Sequence, residues 1–116
     1  MGNKKEIRED QFELYDLKIV VERIDGHCTC KMKEGDSFLI KGGKISIPAG
    51  GDFCLYALQS TIPLLPAKQR KNNKADWMET DTRVICPDPA CKLIMRIDRA
   101  SSRVLNHDDV SPNAWK

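Results

Sequence analysis

The fold is decided by the stretch YDLKIVVE, residues 15–22. Apolar side chains occupy every odd position from Tyr15 to Val21, and polar residues alternate with them except at Val20. A period of two with β-branched residues is typical of a strand that buries one face. Asp25-Gly26 then gives a turn signal. We therefore predict a long half-buried strand that ends before this turn.

Two pairs of shorter strands are predicted further along the chain. Residues 37–41 and 44–47 flank Gly42-Gly43, and two glycines that tolerate positive φ suit a hairpin turn. Residues 82–86 and 92–98 flank the loop PDPA, in which Pro and Asp favour a type I turn. Both pairs are predicted to form antiparallel hairpins.

One helix is predicted between the two hairpins. Asp52 is a candidate N-cap for a helix that begins at Phe53. Apolar residues spaced four apart, with Cys54 the first of them, form a stripe along this helix. Pro63 is expected to end or kink it, because proline lacks the backbone N–H that a helix interior needs.

These elements together predict an α+β fold: a small curled or barrel-like antiparallel sheet of about five strands with one capping helix. A chain of 116 residues is expected to form one domain. Residues 1–14 are predicted to be a flexible arm, residues 15–100 a single α+β domain, and residues 101–116 a loose C-terminal tail.

Composition limits the classes of partner. The apolar fraction of 41% and the charged fraction of 31% are typical of a soluble globular protein. No apolar run approaches the ~20 residues of a membrane span, and the charged N-terminus lacks the apolar core of a signal peptide. We therefore predict a cytoplasmic protein with no membrane partner.

The net charge of +2 is too small to indicate nucleic acid binding by itself. The basic cluster at residues 68–74 has no interleaved aromatic residues, so it is predicted to be a solvated loop and no nucleic acid partner is expected. The exposed edge of a small sheet favours self-association, so a homo-oligomer is considered.

Five cysteines are an odd number in a chain without an export signal, so reduced thiols are expected. Cys28 and Cys30, two residues apart in an extended segment, would point the same way. Cys86 and Cys91 flank the second hairpin loop and could face each other. The four thiols could form a zinc site, although the spacings are unequal, with four residues between Cys86 and Cys91 and only one between Cys28 and Cys30, where two to four are usual.

Other residues each have a functional and an ordinary interpretation. His27 could add a nitrogen ligand or be a surface residue. Cys54 could be a buried small hydrophobe or, near a helix N-terminus, a thiolate ligand or nucleophile. Asp36 and Asp88 suit turns, but either could orient a ligand or act as a general base. Trp77 could cover a pocket or belong to the core.

The sequence also carries a combination of short motifs. They are GHC at 26–28, KEGDSF at 33–38, FCLYAL at 53–58, CPDP at 86–89 and MRIDR at 95–99, with Trp77 between the third and fourth. In this combination the chain resembles a family of small prokaryotic proteins of about one hundred residues, frequent in anaerobes and without an assigned function. The resemblance spans residues 15–99. It implies importance for Cys28, Cys54, Trp77 and Cys86, and it leaves Cys30 and Cys91 outside the family pattern.

The leading functional hypothesis is a transition-metal site, zinc or iron, held by Cys28, Cys54 and Cys86. His27, Cys30 or solvent would complete the shell, and an open fourth position would suit a catalytic or sensing role. One alternative is a metal-free thiol enzyme or small-ligand-binding domain. Another is a structural or interaction module with buried cysteines. The reaction, the substrate and the small-molecule ligand are left open.

Overall fold

The structure is a computed structural model, and it describes residues 7–114. These residues form a five-stranded antiparallel sheet in the order β3-β2-β1-β5-β4. The strands are β1 (Gln11–Ile24), β2 (Ser37–Lys41), β3 (Lys44–Ser46), β4 (Arg83–Ile85) and β5 (Leu93–Asn106). The helices are α1 (Leu55–Thr61), α2 (Leu65–Lys68), α3 (Trp77–Thr80) and α4 (His107–Val110), with a 3-10 turn at Ile62–Leu64. The predicted α+β class is confirmed, and in the described part of the chain the sheet is open, with β3 and β4 at its edges.

The centre of the sheet is a long ribbon of β1 and β5, paired from Gln11↔Asn106 to Ile24↔Leu93. The predicted flexible arm and loose tail are therefore wrong for residues 11–14 and 101–106, which are strand. Polar cross-strand contacts hold this end: the Gln11 side-chain amide donates to Asn106 (2.8 Å), and Ser102 donates to Glu13 (2.9 Å). The parts of the arm and tail at residues 1–6 and 115–116 lie outside the described residues.

Both predicted hairpins are confirmed. In the first, Lys41 pairs with Lys44 across a two-residue turn, and Gly42 has a φ of 59° that a residue with a side chain rarely adopts. In the second, Val84 pairs with Met95. The loop between β4 and β5 is longer, and it carries Cys86 and Cys91.

The core lies on one face of the sheet, as the alternation in β1 predicts. Its fully buried strand residues are Leu17, Ile19, Val21, Phe38, Leu93, Met95 and Ile97. Burial of each such side chain stabilises the fold by about 1.5–3 kcal/mol. The opposite face carries ion pairs such as Arg83–Glu22 at 2.9 Å.

The chain enters α1 two residues later than the sequence predicts. Cys54, and not Asp52, is the N-cap residue, so the prediction of a helix beginning at Phe53 is wrong by two positions. The reason is a tertiary contact: the Phe53 ring packs edge-on against the buried Phe38, with 4.8 Å between centroids. Phe53 therefore serves as an anchor before the helix, and Cys54 is fixed at its start.

The single predicted capping helix is a broken segment made of α1, the 3-10 turn and α2. Pro63 and Pro66 each lie in the first turn of the element that follows the break, where a missing N–H costs little. The segment covers the core with Ala57 and Leu65. The prediction that residues 68–74 are a solvated loop is wrong at Lys68, which ends α2 and is 1% exposed. Across residues 7–114 no helix has the length and apolar character needed to cross a membrane.

A pocket lined by the five cysteines

The loop after β1 is joined to the loop before β5 by backbone hydrogen bonds. The N–H of Asp25 donates to the Lys92 carbonyl (3.1 Å), and the N–H of His27 donates to the Ala90 carbonyl (3.0 Å). Between them lies Gly26, where a Cβ atom would be 2.1 Å from the Ala90 carbonyl oxygen. This approach excludes any side chain, so glycine at this position allows the two cysteine-bearing loops to meet.

Within the first loop, local contacts fix Cys28. The buried Met32 anchors the loop in the core, and its N–H donates to Cys28 Sγ (3.3 Å). The N–H of Lys31 donates to the Cys28 carbonyl (3.1 Å), and Lys31 has a φ of 57°. Cys28 Sγ is therefore held in place by a hydrogen bond from a backbone amide.

The second loop holds two buried cysteines. The N–H of Cys86 donates to the Leu93 carbonyl (2.9 Å), which extends the ladder by one residue beyond β4. Asp88 closes the loop: its side chain accepts from the N–H of Ala90 (3.0 Å) and its carbonyl from the N–H of Cys91 (3.1 Å). The interpretation of Asp88 as a turn residue is thus supported, and Asp88 also lies at the pocket described next.

The two loops and the start of α1 enclose a pocket of about 440 Å³. All five cysteines of the chain line it, together with Thr29, Tyr56, Pro87 and Asp88. We call it the thiol pocket. Its cysteines come from three separate segments of the chain, and all five are free thiols.

The thiols of the pocket differ in acidity. Interaction with the Cys54 thiol, followed by desolvation, raises the pKa of Cys30 to about 11. Burial, followed by interaction with Cys28, raises the pKa of Cys91 to about 12. Both cysteines are therefore protonated at neutral pH.

Cys54 differs from these two thiols. Burial alone would raise its pKa, but the backbone amides of Ala57 and Tyr56 and the Cys30 thiol together lower it. None of the amides makes a full hydrogen bond to the sulfur, so the effect comes from their proximity at the start of α1. Because its pKa is lowered and theirs are raised, Cys54 ionises more readily than Cys30 and Cys91.

The structure brings four of the five predicted metal ligands to the thiol pocket: Cys28, Cys30, Cys54 and Cys86. His27 is exposed and does not line it, although its backbone helps to build the wall. Cys91 does line it. The resemblance set Cys91 aside, but its position opposite Cys86 across a hairpin loop was a signal for it in the sequence.

Two other candidates lie elsewhere. Asp36 accepts from the N–H of Lys33 (2.8 Å) as a turn residue and lines a separate hollow of about 600 Å³ beside Cys30. Trp77 is 58% exposed at the start of α3 and lines none of the pockets described here. Neither Asp36 nor Trp77 contributes a side chain to the thiol pocket.

The donor set suits a soft transition metal, because thiolates are preferred ligands of zinc and iron. As they stand, however, no three or more His, Cys, Asp or Glu side chains in residues 7–114 form a group that could hold a metal ion. A cysteine side chain turns about one torsion among three staggered positions. Coordination would therefore require some of these thiols to change rotamer.

Comparison with known proteins gives no relative: no family model, no curated protein and no solved structure matches the chain. The resemblance to the small prokaryotic family therefore stays a prediction.

Proposed function

We propose that the thiol pocket binds a transition metal ion, zinc or iron, through cysteine thiolates. The observation that carries this proposal is that all five cysteines, from three chain segments, line one pocket. Cysteines that only fill the core have no reason to share a cavity, and Cys30 is exposed, which a purely apolar role does not explain. Five free thiols also favour a reducing compartment such as the cytoplasm.

Cys28, Cys54 and Cys86 are the proposed ligands, one from each wall of the pocket. Cys30, Cys91 or solvent would take the fourth position, and His27 would have to leave its exposed position to reach it. When bound, the ion would supply Lewis acidity or a cross-link between the three walls. The chain's own contribution is to hold the thiols together and to favour ionisation at Cys54, since a thiol must lose its proton to coordinate.

The test is metal content after purification without oxygen. We expect about one equivalent of zinc or iron, and fewer than five reactive thiols until a chelator is added. Cys54→Ser and Cys86→Ser should lose the metal, whereas His27→Ala, next to the pocket but outside its lining, should retain it. A metal-free wild-type protein with five reactive thiols, reconstituted with neither ion, would refute the proposal.

A second candidate is a metal-free thiol enzyme or small-ligand-binding domain in which Cys54 is the nucleophile. The lowered pKa of Cys54 beside Cys30 favours it. Alkylation at limiting reagent, mapped by mass spectrometry, separates the two candidates. Fast labelling of Cys54 in protein that binds no metal supports the nucleophile, and equal slow labelling of all five cysteines excludes it.

A third candidate is an assembly module with structural cysteines. Both edge strands carry exposed isoleucines, Ile45 at 49% and Ile85 at 53%, and exposed edges can pair with another copy. This candidate predicts a homo-oligomer, measured by light scattering, that Ile45→Lys dissociates. A monomer over the whole concentration range would exclude it.

A further inference from the structure

Away from the thiol pocket, α2 ends in a lysine that is almost wholly buried. Lys68 is 1% exposed and is the one charged side chain in the buried class among residues 7–114. Lysines are almost never fully buried unless they are paired. An ammonium group in this position therefore requires an explanation.

Lys68 has no such pair in the described residues. Its ammonium makes no hydrogen bond or ion pair. In the same residues, however, every side-chain nitrogen or oxygen atom that is fully buried has a hydrogen-bond partner. The amine nitrogen of Lys68 is therefore not fully buried and accounts for the small exposed surface of this residue. Lys68 lines a second pocket of about 440 Å³, which shares no lining residue with the thiol pocket.

The other charged side chains that line this pocket are already paired. Arg99 donates to Glu79 (2.6 Å) and, through Nε, to the carbonyl of Lys68 itself (2.9 Å). Asp98 accepts from Arg96 (2.8 Å). The second pocket therefore offers the amine a fixed cation, Arg99, and carboxylates whose charge is already balanced.

These surroundings disfavour the charged form of the amine. Burial first, and the charge of Arg99 second, lower the pKa of Lys68, and Glu79 and Asp81 offset only part of this effect. A desolvated lysine next to another cation is a known way to make a nucleophilic amine at neutral pH.

We propose that the amine of Lys68 is the covalent attachment point for a small aldehyde or ketone bound in the second pocket. The nitrogen lone pair adds to the carbonyl carbon, and one amine proton moves to the oxygen to give a carbinolamine. The carbinolamine then loses its hydroxyl group and the second amine proton as one water molecule. The product is an imine. Thr82, Glu79 and Asp98 also line the pocket, and this polar lining suits a polar, uncharged carbonyl compound.

Reductive trapping tests the proposal on the wild-type protein. The probe is glycolaldehyde over a range of concentrations, with cyanoborohydride at neutral pH and short reaction times, and the modified lysines are mapped by mass spectrometry. Lys68 should be labelled several-fold faster than the exposed Lys71, and its labelling should saturate with glycolaldehyde concentration. The ratio of the two labelling rates should narrow as the pH approaches 10.5, the ordinary lysine pKa, because ordinary lysine side chains then also lose their protons.

Two variants complete the test. Lys68→Met keeps an unbranched apolar stem and should remove the fast, saturable label, whereas Lys71→Met should leave it unchanged. If Lys68 is labelled no faster than Lys71 in the wild-type protein, or if its labelling rises linearly without saturation, the proposal is overturned. Neither outcome depends on whether the thiol pocket binds metal.

Discussion

Replacing Gly26 by alanine should separate the two loops that carry four of the five cysteines. A Cβ at this position would lie 2.1 Å from the carbonyl oxygen of Ala90 and 2.7 Å from that of Cys91. Both are backbone atoms, so no side-chain rotation can relieve the clash. The loops must move apart, and the hydrogen bonds on either side of Gly26 break with them.

The magnitude follows from those two bonds, Asp25 to Lys92 and His27 to Ala90. At about 1 kcal/mol each, their loss should lower the free energy of unfolding by about 2 kcal/mol. The matched control is Gly43→Ala, because Gly43 has a negative φ and no atom within 4 Å of the added Cβ. Its effect should stay within about 0.5 kcal/mol.

Urea unfolding at equilibrium measures both variants, and the reactivity of Cys91 gives a second readout at the site. Cys91 is 3% exposed, so its alkylation should be slow in wild type and in Gly43→Ala and faster in Gly26→Ala. If Gly26→Ala matches Gly43→Ala in both measurements, the close approach does not hold the loops together, and our account of the thiol pocket fails.

Three further predictions follow from single sites. Met95 is fully buried in β5, so Met95→Ala should lower the free energy of unfolding by about 2–5 kcal/mol. Urea unfolding measures this loss, and a value below this range would mean that the core relaxes around the cavity. Arg99 lowers the pKa of Glu79 to about 2 from 4.5, so Glu79 stabilises the fold above pH 4.5 and loses this effect as the pH falls toward 2. The difference in unfolding midpoint between wild type and Glu79→Gln should therefore shrink over that window, and a difference independent of pH would contradict the assignment. In metal-free protein, iodoacetamide should modify Cys54 faster than Cys91, in keeping with a lowered and a raised pKa; the opposite order would refute this reading of the pocket.

The sheet could be predicted where one face is buried, because burial leaves a period of two in the sequence. Leu17, Ile19 and Val21 show this period, and all three lie in β1. The ends of the ribbon are harder to predict. Phe12 and the buried Leu14 do alternate with polar residues, but they are out of phase with Leu17, because the pairing of β1 with β5 shifts register between Tyr15 and Leu17. Residues 101–103 are exposed and polar, so they show no alternation.

The candidate site was predictable in part. Cys86 and Cys91 lie on either side of a hairpin loop, so their proximity follows from local sequence. The position of Cys54 depends on the contact between Phe53 and Phe38, and the closeness of the first loop depends on Gly26. Contacts between residues far apart in sequence leave no periodic trace. The burial of Lys68 depends on such contacts as well, among them the hydrogen bond from Arg99, so the sequence around it predicts only a solvated loop.

The two pockets place different chemistry at separate parts of one small sheet. The thiol pocket is built where β1 ends, β5 begins and α1 starts, so its shape depends on loops that can vary without disturbing the β1–β5 ribbon. Lys68 lies at the end of α2 and is held against Arg99 of β5 by a backbone contact. Because the two pockets share no lining residue, Cys54→Ser should leave the trapping of Lys68 unchanged, and Lys68→Met should leave the metal content unchanged. Effects of separate, non-contacting sites usually add, so coupling between these two readouts would show that the pockets belong to a single site.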